Sequence, residues 1–255
     1  MDSSQVWKSD LYDKRLSFIS EFGKGVVELL NPIKGESILD LGCGTGDLAY
    51  EISNYGANVL GIDFSKEMIE KAREKYPHIN FQIENGEAFT VEQSFDAVFS
   101  NAALHWMKNP EKVLTCVWNA LSNGGRFIAE FGGCDNVATI VNSINEVLAE
   151  DYGKDATKLN PWYFPTIGEY SSLLEKQGFR VTYAIHFDRP TKLEDGENGL
   201  RDWLVSFSDN YFQDLGETEK NIIFAKIANK ARVDLFKEGY WYADYKRIRI
   251  KAIKQ

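Results

Sequence analysis

Cysteine, histidine and methionine are scarce in this chain, with three of each among 255 residues. Cys43, Cys116 and Cys134 show no C-x-x-C spacing and no nearby histidine pair. That pattern speaks against a disulfide framework and a zinc site, and suits a reducing compartment. No apolar run approaches the roughly 20 residues that a membrane helix needs. The opening Met1-Asp2-Ser3-Ser4 lacks the basic-then-apolar profile of a signal peptide. The expectation is a cytoplasmic protein with no membrane partner and no metal. Positive charge is also in short supply: 29 Lys and Arg face 38 Asp and Glu, for a net −9. A protein that grips phosphate backbones normally shows a basic surface, so no nucleic-acid partner is expected.

Composition is otherwise that of a globular chain, 44% hydrophobic and 26% charged. Internal repeats and low-complexity linkers are missing, and residues 1–255 read as a single domain. Strand-like runs fall at Ser37–Leu41, Asn58–Ile62, Asn80–Ile83, Phe95–Ser100 and Arg126–Phe131. Between them lie helical segments near Asp47–Tyr55, Lys66–Lys75 and Pro110–Leu121. Ser65 is the expected cap of the second helix, and Asn109 with Pro110 the expected start of the third. Asn123-Gly124-Gly125 reads as a stop and turn. Such alternation predicts a parallel sheet covered on both faces.

The flanks differ in texture. Aromatics crowd the N-terminal stretch (Trp7, Tyr12, Phe18, Phe22) and the loop Pro161-Trp162-Tyr163-Phe164-Pro165. Val137–Leu148 and Ile167–Gln177 read as helices, Phe179–Phe187 as a sixth strand, and Tyr240–Ile253 as a seventh. Helical periodicity fills the interval between those two strands. The predicted architecture is an α/β, Rossmann-like, seven-stranded and mostly parallel sheet with helices on both faces. Its last strand is antiparallel, and a helical cap is inserted between strands six and seven. Residues 1–36 form an N-terminal helical lid, 37–190 and 240–255 the core, and 191–239 the cap. Large rings in loops are unfavourable in water unless they cover something, so Trp7–Phe22 and Lys158–Thr166 are expected to close over a ligand.

The most informative stretch is Ile38-Leu39-Asp40-Leu41-Gly42-Cys43-Gly44-Thr45-Gly46. An apolar strand runs into a glycine-dense turn, and an amphipathic helix follows at once. Residues without side chains let backbone approach a ligand closely and adopt positive φ. Asp47 stands where a dinucleotide fingerprint has its third glycine, and a carboxylate there repels a pyrophosphate. Asp63 ends the next strand about 20 residues on, where an acid can accept from ribose hydroxyls. The glycine block with Asp63 resembles the cofactor motifs of class I S-adenosylmethionine (SAM) dependent methyltransferases. Phe95-Asp96-Ala97-Val98-Phe99-Ser100-Asn101 and Leu104-His105-Trp106 add similarity to the small-molecule, trans-aconitate methyltransferase-like group.

That resemblance implies SAM as cofactor, with S-adenosylhomocysteine (SAH) as its product, and no metal. The cofactor residues it implies are Gly42, Cys43, Gly44, Gly46, Asp63, Phe64, Met68, Asn85, Gly86, Glu87 and Asn101. Asn85 stands where the family usually has an aspartate for the adenine amino group; an amide can still accept and donate there. Ser100 and Asn101 are expected to leave backbone carbonyls for the methionine ammonium. His105 is the candidate catalytic base, and Tyr12, Trp162, Tyr163 and Arg189 are candidate substrate contacts, with Arg201 a further positioning cation. The expected partner is a small-molecule acceptor, methylated at a carboxylate or hydroxyl oxygen, on a monomer or weak homodimer. The alternatives are a SAM-binding regulator without catalysis and a nicotinamide-dependent dehydrogenase.

Overall fold

The computed structural model describes residues 17–255, with side chains from Gly23 onward apart from Lys24. The expectations placed on Trp7 and Tyr12, and on the side chains of Phe18 and Phe22, lie outside the described residues.

The first half of the chain alternates as its periodicity predicts. Helix α1 (Ser17–Leu30) precedes β1 (Ser37–Leu41), α2 (Asp47–Ser53), β2 (Asn58–Asp63), α3 (Lys66–Lys75) and β3 (Asn80–Ile83). Then come β4 (Phe95–Asn101), α4 (Pro110–Ala120) and β5 (Leu121–Gly132). The second half runs α5 (Ala138–Tyr152), α6 (Ile167–Gln177), β6 (Phe179–Lys192), α7 (Gly199–Phe207), α8 (Glu217–Leu235), β7 (Phe236–Lys237) and β8 (Tyr240–Lys254). Strand order is β3-β2-β1-β4-β5-β8-β6, with the two-residue β7 pairing β8 off that path. Among the described residues the sheet therefore has eight strands, one more than expected. The pairs linking β1 to β5 are parallel, and β8 runs antiparallel to both β5 and β6.

Period-two alternation sends neighbouring residues to opposite faces of the sheet. Leu39, Val98, Phe127 and Ala129 pack beneath α4 and α6, with Tyr170 and Leu174 from the latter. Their neighbours Ile38, Ala97, Phe99 and Ile128 face Val26, Val27 and Leu30 of α1 and Ile52 of α2. A separate apolar cluster joins α5, α7 and α8 to the first half of β8, through residues such as Ile144, Trp203, Ile227 and Trp241.

Ser65 caps α3 as expected, its Oγ accepting from the Met68 amide at 3.3 Å. Asn109 and Pro110 open α4 as expected, but the Asn109 side chain makes no cap bond; its Nδ2 donates instead to Glu87 Oε2 at 2.7 Å. Asn123-Gly124-Gly125 does not precede β5 but lies within it. Pairing jumps from Phe95↔Leu121 to Ala97↔Arg126, so the glycines absorb extra chain as an irregularity in the strand. Strand β6 also outruns its expected end at Phe187, because β8 pairs with it as far as Lys192.

Candidate functional site

Strand β1 has β2 on one side and β4 on the other, which makes its carboxyl end a switch point in the sheet. Clefts in open parallel sheets form there. Gly42, Gly44 and Gly46 carry φ of 77, 54 and 86°, a region that residues with a Cβ strain to enter. The amides of Gly42 and Cys43 both donate to Ile62 O, at 2.8 and 3.0 Å. Asp63 then locks the turn: Oδ2 accepts from the Gly44 amide at 3.0 Å and Oδ1 from the Ser65 amide at 2.8 Å. Burial beneath the loop raises the Asp63 carboxyl above the usual range, and the Ser65 and Gly44 amides pull against that rise.

Beyond this turn lies an open cleft. Of the residues expected to hold a cofactor, Gly42, Gly44, Asp63, Phe64, Met68, Gly86 and Asn101 line it. The other four do not line it. Cys43 packs its side chain with Ala49, Ile69 and Phe81 under the turn. At Gly46 an added Cβ would come within 2.7 Å of the Phe81 ring, so that glycine serves helix packing. Asn85 Oδ1 accepts from the Glu87 amide, closing a local turn. Glu87 is buried and takes both the amide and Nδ2 of Asn109. Glu84, Ala102, Trp106 and Met107 line the cleft and were not anticipated. Ser100 serves the scaffold, its Oγ donating to Leu41 O at 2.7 Å between two strands.

Asp47 is turned to structural use as well. It pairs with Lys75 Nζ at 2.6 Å and accepts from Tyr76 Oη at 2.5 Å, tying the start of α2 to the end of α3. It is not among the residues lining the cleft, so the repulsion of a pyrophosphate expected from it is not supported by its position.

A second pocket adjoins the first, and Ala102 and Trp106 belong to both. His105 and Trp162, expected at an acceptor site, line this pocket. Trp162 stacks on Phe164 at 5.7 Å and meets Trp106 edge-on at the same distance. Tyr163 does not line this pocket. It packs against the sheet core, and burial pushes its phenol up to about 12. Arg189 is engaged elsewhere, its guanidinium forking onto the buried Glu130, which Arg249 also grips at 2.6 Å. Arg201 is exposed and donates to Asn221 Oδ1 at 2.9 Å.

The structure fixes the hydrogen bonding of His105, the expected general base. Its Nδ1 accepts from the Gly132 amide at 3.3 Å, so Nε2 carries the ring proton. Burial, reinforced by the charge of Arg247, holds the imidazole well below its ordinary range. A neutral ring with its proton on Nε2 donates a hydrogen bond and takes up no proton there. Arg247, Asn136, Val137, Trp203, Phe207 and Tyr245 also line it and were not named from the sequence as site residues. Their signal was present in β8, where Trp241, Ala243, Tyr245 and Arg247 share one face and place an arginine in an otherwise apolar series.

The glycine turn and the strand-end carboxylate border one cleft, and the aromatic pocket adjoins it. Residues 39–129 match the family described as methyltransferase domain. The chain is 35% identical to an uncharacterized methyltransferase of Schizosaccharomyces pombe, C70.08c, over 98% of each chain. It is 32% identical to the trans-aconitate 2-methyltransferase of Deinococcus radiodurans over 47% of each. Among solved structures, phosphoethanolamine N-methyltransferase 2 of Haemonchus contortus, in complex with SAH, superimposes with a TM-score of 0.59 at 17% identity. That alignment covers 92% of this chain and 52% of the other. The chain belongs to the class I SAM-dependent methyltransferase family.

Proposed function

We propose that SAM occupies the glycine-rich cleft and that a small-molecule acceptor meets its methyl group from the aromatic pocket. The observation that carries this reading is the shared wall, because Ala102 and Trp106 border both cavities. In this reading Asp63 accepts from the ribose hydroxyls with the lone pairs its two amides leave over. Phe64, 42% exposed at the mouth of the cleft, covers the nucleoside, and Gly86 lets the base approach backbone. The Gly42–Gly44 backbone and Asn101 hold the methionine portion. The residues present fit the cofactor: Gly42 and Gly44 face the cleft without side chains, and at Gly42 a Cβ would sit 2.2 Å from that of Ala103.

When bound, SAM supplies a methyl group already activated on a sulfonium, so the protein's work is alignment and exclusion of water. Trp106, Trp162 and Phe164 supply the dry wall. His105 donates from Nε2 and orients the acceptor. A carboxylate nucleophile needs no base, whereas an alcohol or amine generally does; the neutral His105 therefore favours a carboxylate or a hydroxyl with low intrinsic pKa. Residues 191–239 act as a cap over the acceptor, on a cytoplasmic monomer or weak homodimer. No described helix is long and apolar enough to cross a membrane.

Calorimetric titration with SAM, SAH and NAD tests the cofactor, and formation of SAH across a panel of metabolites tests turnover. SAM and SAH binding without NAD binding is expected. Tight SAM binding with no turnover over a broad acceptor panel would favour the regulator reading.

A further inference from the structure

Strand β6 is 14 residues long and ends the sheet, with β8 on one side and, among the described residues, no strand on the other. The phase of its ladder shows which backbone groups face outward. The Leu193 amide donates to Trp241 O at 2.8 Å, and the register with β8 is constant from Lys192 back to Tyr183. Antiparallel pairing alternates bonded and unbonded residues, so the backbone groups of Tyr183, Ile185 and Phe187 bond to β8. Ala184, His186 and Asp188 turn theirs outward.

Open edges of this kind invite pairing, and proteins blunt them with proline, bulges or charge. Here the blunting is confined to the two ends. Pro190 stands just beyond Asp188, and a bulge between Val181 and Tyr183 follows Arg180. Between those two charged residues, Val181-Thr182-Tyr183-Ala184-Ile185-His186-Phe187 holds no Asp, Glu, Lys or Arg. Thr182 to His186 are all exposed, Tyr183 at 40% and Ile185 at 39%. Strands of antiparallel sheets normally pack one face on a core; this stretch is uncovered on both.

The ends differ in sign. Arg180 and Asp188 are exposed and stand equally far in sequence from Ala184. A two-fold axis at Ala184 lays β6 antiparallel to the β6 of a second copy, and brings the Arg180 end of each to the Asp188 end of the other. Tyr183 then lies across from Ile185 of the second copy, an aromatic and β-branched pair of the kind that stabilises sheets. The edge is thus self-complementary in backbone bonding, in apolar contact and in charge, which is what an isologous interface requires.

We infer that two copies of this chain join edge to edge through β6, antiparallel about Ala184, so that one sheet runs across the dimer. The inference goes beyond the methyl-transfer reading and does not depend on it, because β4, β5 and β8 separate β6 from the cleft at the end of β1.

Sedimentation equilibrium of the full chain, without ligand and over about 1 to 300 μM, is the test; a monomer–dimer equilibrium with Kd below about 100 μM is expected. Arg180→Glu and Asp188→Arg each set like charges at both ends of the interface, and each should weaken dimerisation at least about fivefold. An equimolar mixture of the two variants places opposite charges at both ends again, so a heterodimer should form within about twofold of the wild-type affinity. His186→Pro removes an outward amide while sparing the ladder to β8, and should abolish the dimer. A monomer at every concentration, a dimer that neither charge variant weakens, a mixture no tighter than the variants alone, or a dimer undiminished in His186→Pro each overturns the inference. Circular dichroism checks each variant for folding, and the wild-type measurement decides even if a variant fails to fold.

Discussion

Asp63 carries two loads at once. Its oxygens accept from the Gly44 and Ser65 amides, so it shapes the turn that its remaining lone pairs would present to a ribose. Asp63→Ala should weaken SAM binding by about 1.5–3 kcal/mol, the scale of hydrogen bonds to a charged group, and also lower stability by about 1–3 kcal/mol through two orphaned amides. Calorimetry and urea denaturation read the two effects separately; SAM affinity unchanged within about twofold removes Asp63 from the ribose. Asp40 behaves differently. It is 2% exposed, its Oδ2 has no hydrogen-bond partner, and burial together with the nearby Asp63 charge pushes its carboxyl up to about 8. The folded protein therefore holds a proton here that the unfolded chain releases near pH 4. Between about pH 4 and 8 the native state binds more protons, so this contribution to stability falls as pH rises, by at most about 1.4 kcal/mol per pH unit. It is full below the unfolded value and lost above the folded one. Asp40→Asn should remove that slope, so that its stability relative to the parent increases from pH 5 to pH 8. Identical slopes in the two proteins would show Asp40 to be charged in the fold.

At the scale of elements, the glycines of the first turn divide their labour. Gly44 lines the cleft, whereas Gly46 packs against Phe81 and Ala72 between α2, α3 and β3. Gly46→Ala places a Cβ 2.7 Å from the Phe81 ring at a φ of 86°. It should cost about 1–3 kcal/mol of stability through overpacking and strain, while the folded variant keeps its SAM affinity. Denaturant titration paired with calorimetry checks this, and a large affinity loss at full stability would move Gly46 into the cofactor site. This division was not legible in the sequence, because the spacing of glycines reports where backbone is close without saying to what. Helices α3 and α6 and strands β1 to β4 were legible, since their apolar periodicity and end signals act over a few residues. The partners of Asn109 and Glu87 were not legible because only the fold brings them together, and Asn85 finds its own within its turn. Arg189 was misplaced for the same reason: Glu130 lies 59 residues away in the chain. Arg247 was missed because the polar pattern read at the end of β8 belongs to its second half, where Ile248, Ile250 and Ala252 face the sheet core.

That change of face within β8 sets the behaviour of the whole molecule. Trp241, Ala243 and Tyr245 insert into the helical layer, and Ile248, Ile250 and Ala252 insert into the sheet core. One continuous strand thus belongs to both apolar clusters. It is bonded to β5 over Gly132–Arg126 and to β6 from Lys192 to Phe179, and Trp203 Nε1 of α7 donates to Tyr245 Oη at 2.7 Å. The helical layer cannot unfold without stripping apolar partners from half of β8, and loss of β8 exposes the edge of β5. The proposed acceptor pocket lies among these joined parts, with Val137, Phe207 and Tyr245 from the layer and His105 from the loop after β4. Single domains above about 150 residues often unfold through intermediates, so the coupling makes a distinguishing prediction. Urea unfolding should be one transition, with the same midpoint for a reporter in each cluster. Trp118, against the sheet core, and Trp203, within the helical layer, serve as reporters in variants where the other tryptophans are replaced by phenylalanine. Coincident curves that match far-ultraviolet circular dichroism are expected. A Trp203 signal lost well before that of Trp118 would mean that the layer opens on its own, and that the acceptor pocket is gated by its local unfolding.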